Sequence, residues 1–283
     1  DPEALGERVA ISDAALRHLE DNVHLIGPLF EKGMSLVSKK MAGKPAMKYK
    51  TLVYFMDRIV HGAQSNILIT KDSPTYSYVD MASVNRANLE LAANFVALLR
   101  EEDDELYAAF IVEGQRNDRI KAKELKEWSE HPDERYLTTA KPMQCDYAAV
   151  TEKRVSELLK SLKIEKPKME FPRIEKRFRL AGEKWRFLYT SRYRELCSWS
   201  HCHPEEVFFS PSNRFDFDNE LRGVDKGIEM LHFSHHLIFL LLESIFEICG
   251  EDDSDLTNCQ IKLMGEFCRI VKPILDPELQ KAA

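Results

Sequence analysis

Apolar residues recur every three or four positions along most of the 283-residue chain, a spacing that predicts helix nearly throughout. The first stretch sets Leu16, Leu19, Val23 and Ile26 on one face, with Ser12 placed to cap it. Gly27-Pro28 interrupts that face, and a second helical stretch runs to about Met41. After a turn at Gly43-Lys44-Pro45, a helix over about 46–69 aligns Leu52, Phe55, Ile59 and Ala63. Further helices are expected over about 76–100, on to about Glu130, and in a short piece that begins at Thr151. Three more fit 183–201, about 221–249 and 255–271. Segments 138–150 and 205–217 have the pattern for a short strand each, without support for a sheet. The fold class expected is all-α, a multi-helix bundle. With only 11 Gly and 12 Pro, many of them at segment ends, long helices fit better than a many-turned β fold.

At 44% hydrophobic the chain can build a sizeable core. It reads as a single helical domain over 1–283. Pro167, Pro172 and Gly182 mark a long connection at 163–182 that would divide a helical body from a C-terminal helical set.

Charge changes this picture locally. The net charge of −7 argues against a chain coated all over with nucleic-acid-binding charge. Between residues 160 and 194, however, twelve Lys and Arg face only four Glu, and acidic runs at 101–105 and 251–255 compensate elsewhere. Lys176, Arg177 and Arg179 in this basic stretch are candidate phosphate-binding residues, with RNA as the partner. Cysteines 145, 197, 202, 249, 259 and 268 form no Cys-x-x-Cys pair. The chain shows no basic-then-apolar leader, and its longest apolar run, 237–242, ends at Glu243. Reduced thiols in a cytoplasmic protein that does not span a membrane are the expectation.

Polar side chains interrupt three apolar faces. Ala82, Arg86, Leu89, Ala93 and Val96 form a stripe that contains an arginine, and Glu90 follows Arg86 at i+4. A charged pair on an Ala-rich face predicts a partly buried ion pair. In the stretch 183–201, Trp185, Tyr189, Tyr193 and Leu196 read as core. Arg194 and His201 lie on another side, seven residues and about two turns apart. An Arg beside a His suits attack by a ribose 2′-hydroxyl on its own phosphate: the His moves the proton and the Arg stabilises the charged phosphorane. Arg17 and His24 have the same spacing. In the third helix, Glu229, His232 and His236 share a face that could hold a metal, while His235 joins Ile228, Leu231, Ile238 and Leu242 toward the core. The chain has no second Glu-x-x-His of the kind a di-iron site needs, so no cofactor is expected.

Two of these stretches together resemble an uncharacterised bacterial all-helical family, a domain-of-unknown-function group. Arg86-Ala-Asn-Leu-Glu90 is similar to its Arg-x-x-x-Glu helix. Tyr193-Arg-Glu-Leu-Cys-Ser-Trp-Ser-His201 is similar to its Tyr-x-x-Leu-Ser-x-x-x-His element, with Cys197 where Ser is usual. The resemblance covers roughly residues 50–240 and implies a helical fold with a polar centre of Arg86, Glu90, Tyr193 and His201, but it supplies no reaction. Arg194 and His201 also fit the longest form of the Arg-x(4–6)-His motif of HEPN ribonucleases. That likeness implies a HEPN-like bundle, a metal-independent ribonuclease of a bacterial stress or phage-defence system, and a homodimer. Two alternatives stand beside it: a non-enzymatic helical interaction module, and a metal-binding bundle using Glu229, His232 and His236.

Overall fold

The helical spacing is realised as helix wherever it is strong. A computed structural model describes residues 2–72, 78–149, 151–200 and 217–275. The elements run α1 (Pro2–Asn22), α2 (Gly27–Lys40), α3 (Ala46–Asp72), α4 (Tyr78–Arg100), α5 (Glu105–Ser129), α6 (Glu134–Ala149), α7 (Thr151–Ser161) and α8 (Ile174–Ala181). There follow α9 (Glu183–Leu188), a π turn (Tyr189–Tyr193), α10 (Arg194–Ser200), α11 (Phe217–Cys249), α12 (Ser254–Gln260), a second π turn (Ile261–Gly265) and α13 (Glu266–Leu275). Among the described residues there is no strand.

The core is organised around α4 and α11. α4 packs against α3, α8, α10 and α11, and α11 packs in addition against α1, α2 and α3. Being surrounded, α4 is buried on every side from Ala92 to Leu99. Its small residues make that possible, since Ala82, Ala92, Ala93 and Ala97 let neighbouring helices approach closely. Gly62 on α3 does the same from the other side: a Cβ there would lie 2.1 Å from Asn88 Nδ2. Residues 223–249 of α11 are long and apolar enough to cross a membrane by length and composition, yet 72% of the most apolar window is buried against other helices. A core helix of a packed bundle has this property.

Buried polar groups fix the register. Asn66 Nδ2 donates to Asn85 Oδ1 at 2.8 Å, and Asn85 Nδ2 donates to the Met230 carbonyl at 2.9 Å, so one chain of amides links α3, α4 and α11. Lys48, fully buried, places its ammonium 2.6 Å from Asp104 Oδ1 and 3.1 Å from Glu101 Oε2, closing the α4–α5 turn. An unpaired buried ammonium would be expensive, which is why two carboxylates meet it. Trp185 Nε1 donates to Ser244 Oγ at 3.0 Å and fastens α9 to α11.

Several expectations need correction. Ser12 does not cap a helix: α1 begins ten residues earlier at Pro2, and Ser12 is buried within it. Segment 138–150 is not a strand, because α6 runs through Pro142 as far as Ala149. The basic connection is not wholly irregular, since residues 174–181 form α8 and pack on α4. The possible strand at 205–217 falls almost wholly outside the described residues.

Candidate functional site

Arg86, Glu90 and Asn94 occupy successive turns of one side of α4, half-buried or buried. α8 and the π turn cover that side. The Tyr193 hydroxyl donates to Glu90 Oε1 at 2.6 Å, and Arg177 Nη1 donates to Asn94 Oδ1 at 3.0 Å. The Arg177 guanidinium lies 5.1 Å over the Phe171 ring, and its Nε is buried without a hydrogen-bond partner. Tyr189 and Tyr193 stack with ring centres 5.4 Å apart at 18°, and both rest on Phe178.

Gly182 and the π turn make this meeting possible. Gly182 has φ +118° and ψ 174°, a conformation open in practice to glycine alone, and it turns the chain sharply from α8 into α9. The π turn takes up an extra residue, as such turns often do where a side chain must be re-aimed. The result is a half-buried polar centre. Burial, reinforced by the adjacent Glu90 carboxylate and the Cys197 thiol, pushes the Tyr193 phenol up, so it remains a donor. Burial pulls Arg177 down, opposed by Glu90, Tyr193 and Glu113. The expected Arg86–Glu90 ion pair is not formed within 4 Å among the described residues; Glu90 accepts a hydrogen bond from the Tyr193 hydroxyl instead, and Arg86 has contacts of its own.

Next to this centre the surface dips into a concavity of about 400 Å³ lined by Glu175, Arg179, Arg186, Tyr189, Thr190 and Arg194. Arg186 and Arg194 are eight residues apart, which in a regular helix of 3.6 residues per turn leaves them roughly 80° out of line. With one residue absorbed by the π turn, the interval is close to two whole turns and both face the concavity. Arg179 pairs with Glu175, and Arg186 Nη1 lies 3.5 Å from Glu183 Oε2. Arg194 is exposed, and among the described residues its side chain makes neither an ion pair nor a hydrogen bond.

Of the predicted site residues, Arg194 and Arg179 therefore share one surface, while Lys176 is exposed outside it. Arg177 turns inward and belongs to the polar centre with Glu90 and Tyr193. His201, the other half of the predicted catalytic pair, lies outside the described residues.

The third set does not converge. Glu229 is held by Arg192 Nη1 at 2.5 Å and Lys226 Nζ at 2.9 Å. His232 Nε2 faces Cys268 Sγ at 3.6 Å, His236 Nδ1 faces Gln260 Nε2 at 3.4 Å, and the two rings stack. Among the described residues no group of three or more His, Cys, Asp or Glu is arranged to hold a metal ion. Burial lowers His232 to about 4, and lowers His235 and His236 as well.

Sequence reasoning missed Asn94, Arg186 and the Asn66–Asn85 pair. The signal for Arg186 was weak, because Gly182 breaks the helical count between it and Arg179, and the π turn changes the count to Arg194. Asn94 was legible as the next turn after Arg86 and Glu90.

Comparison with curated proteins and with solved structures returns no match. The profile of a family of unknown function, DUF5677, matches residues 49–216 and so takes in α3 to α10, the polar centre and the basic concavity. With more than half of its length matched, the chain belongs to this family of unknown function, DUF5677.

Proposed function

We propose that the protein binds RNA and cleaves it without a metal, with Arg194 and His201 as the catalytic pair, in a bacterial stress or phage-defence role. The observation that supports this reading is the concavity in which Arg179, Arg186 and Arg194 meet, with no counter-ion on Arg194 among the described residues. A planar guanidinium free of a carboxylate is a natural phosphate ligand. In the reaction, His201 takes the proton of a ribose 2′-hydroxyl, whose oxygen forms a bond to the adjacent phosphorus. Arg194 stabilises the charge that develops on the phosphoryl oxygens. The bond to the 5′-oxygen breaks, that oxygen receives the proton held by His201, and the products are a 2′,3′-cyclic phosphate and a 5′-hydroxyl. Completion of the site across a homodimer is part of the proposal.

The test is cleavage of single-stranded RNA in excess chelator by wild type, Arg194→Ala and His201→Ala. Cleavage by wild type alone, ending in cyclic phosphate and sparing DNA, is the expected result. Cleavage that is absent, or that survives both substitutions, overturns it. A second reading is supported by a different observation: Tyr193–Glu90 and Arg177–Asn94 hold three elements in register, as a non-enzymatic interaction module requires. Under that reading RNA is not cut, and Arg194→Ala changes nothing but partner binding.

A further inference from the structure

A second site is built from residues that belong to neither the polar centre nor the basic concavity. Between α2, α3 and α11 the packing leaves a cavity of about 190 Å³. Its walls are Ile26, Phe30, Ala63, Ile67 and Ile238, and it reaches the surface beside Gln64, which is exposed. The titratable group in this apolar lining is His235, a buried residue of α11.

The tautomer of His235 follows from its contacts. Its Nδ1 lies 3.0 Å from the Leu231 carbonyl, which can only accept, so Nδ1 carries the proton. Ser234 also turns its hydroxyl to that carbonyl, at 2.8 Å, and so leaves Nδ1 as donor. Nε2 is then a bare acceptor, and among the described residues it makes no hydrogen bond. Set in so apolar a lining, that acceptor can fix the orientation of a ligand that brings a donor.

The volume sets the size of an occupant. An apolar cavity of about 150 Å³ holds benzene, so this one has room for a small bicyclic ring. We propose that the cavity is a binding site for a neutral ring-sized molecule, apolar except for one N–H or O–H group that donates to His235 Nε2. The site is independent of the RNA reading, since its lining shares no residue with the basic concavity.

Indole is the probe, and indene, in which a CH₂ replaces the N–H, is its control. Titrated into the whole protein and followed by calorimetry and thermal melting, indole should bind with one-to-one stoichiometry and raise the melting temperature. Indene should bind about tenfold more weakly, the usual worth of one hydrogen bond. Ala63→Leu fills the cavity and should abolish indole binding with helical content unchanged. If that variant fails to fold, ¹⁵N spectra of the wild type decide: the His235 Nε2 resonance should move with indole and not with indene. No binding of indole up to its solubility, equal affinity for the two rings, undiminished binding to folded Ala63→Leu, or an unmoved Nε2 resonance would each overturn the proposal.

Discussion

The Tyr193 hydroxyl donates to Glu90 Oε1 at 2.6 Å, and through this bond the π turn is tied to the middle of α4. The bond joins residues 103 apart in sequence and crosses the region matched by the family profile. It also explains why a carboxylate is tolerated on a helix that is otherwise Ala-rich and buried. The phenol supplies the donor that water would otherwise give.

Tyr193→Phe deletes that donor while keeping the ring that stacks on Tyr189. A loss of about 1–2 kcal/mol in unfolding free energy is expected, since the half-buried Glu90 can regain only part of its hydration. Urea denaturation measures it. Unchanged stability would mean that Glu90 finds an equivalent donor and that the bond does not organise the centre.

Gly182→Ala puts a side chain where φ is +118°. The strain should cost about 1–3 kcal/mol. Because Gly182 sets α8 against α9, the variant should also loosen the convergence of Arg179 with Arg186. Far-UV circular dichroism should be unchanged while the melting temperature falls. A variant as stable as wild type would show that the turn has another solution.

Stability should decline with acid below neutrality. The His232 value in the fold is about 4, below the ordinary value of 6.5, so between these pH values the unfolded chain binds more protons than the folded one. Unfolding free energy therefore rises with pH from about 4 to 6.5, and stability is lost as pH falls through that window. His235 and His236, lowered in the same direction, add to it. His232→Gln, which does not titrate, should flatten the profile over this range. A wild-type profile that is flat from pH 7 to pH 4.5 would contradict the burial of these rings.

The fold was legible because helix is written locally. The period in residues 82–96 and the turn at Gly43-Lys44-Pro45 are visible without any tertiary information. What packs on what was not. Arg86 and Glu90 stood out as polar residues on an apolar stripe, and i+4 spacing suggested that they pair with each other. The partner of Glu90 is Tyr193, over a hundred residues away, and no periodicity reports such a distance. Arg177 looked like one more charge in a basic run, yet its neighbours Phe171 and Asn94 draw it inward. The buried Asn66 and Asn85 were invisible for the opposite reason: asparagine in a helix reads as a surface residue until another amide meets it.

Salt dependence separates the concavity from the basic stretch as a whole. If single-stranded RNA lies in the concavity, each arginine there that meets a phosphate displaces counterions. The slope of log affinity against log salt should then fall by about 0.7 for each such arginine removed. Arg179→Ala, Arg186→Ala and Arg194→Ala should each shift the slope by that amount, and the triple variant by about 2, with thermal stability nearly intact because all three are exposed. Arg177→Ala should behave in the reverse way. Its guanidinium is spent on Asn94 and Phe171, so its loss should lower the melting temperature and leave the slope where it was. Filter binding at salt concentrations from 50 to 300 mM, run beside thermal melts, reads both quantities on the same proteins. If instead Arg177 carries the slope and Arg194 does not, RNA approaches α8 from the other side, and the concavity is an unoccupied dip in the surface.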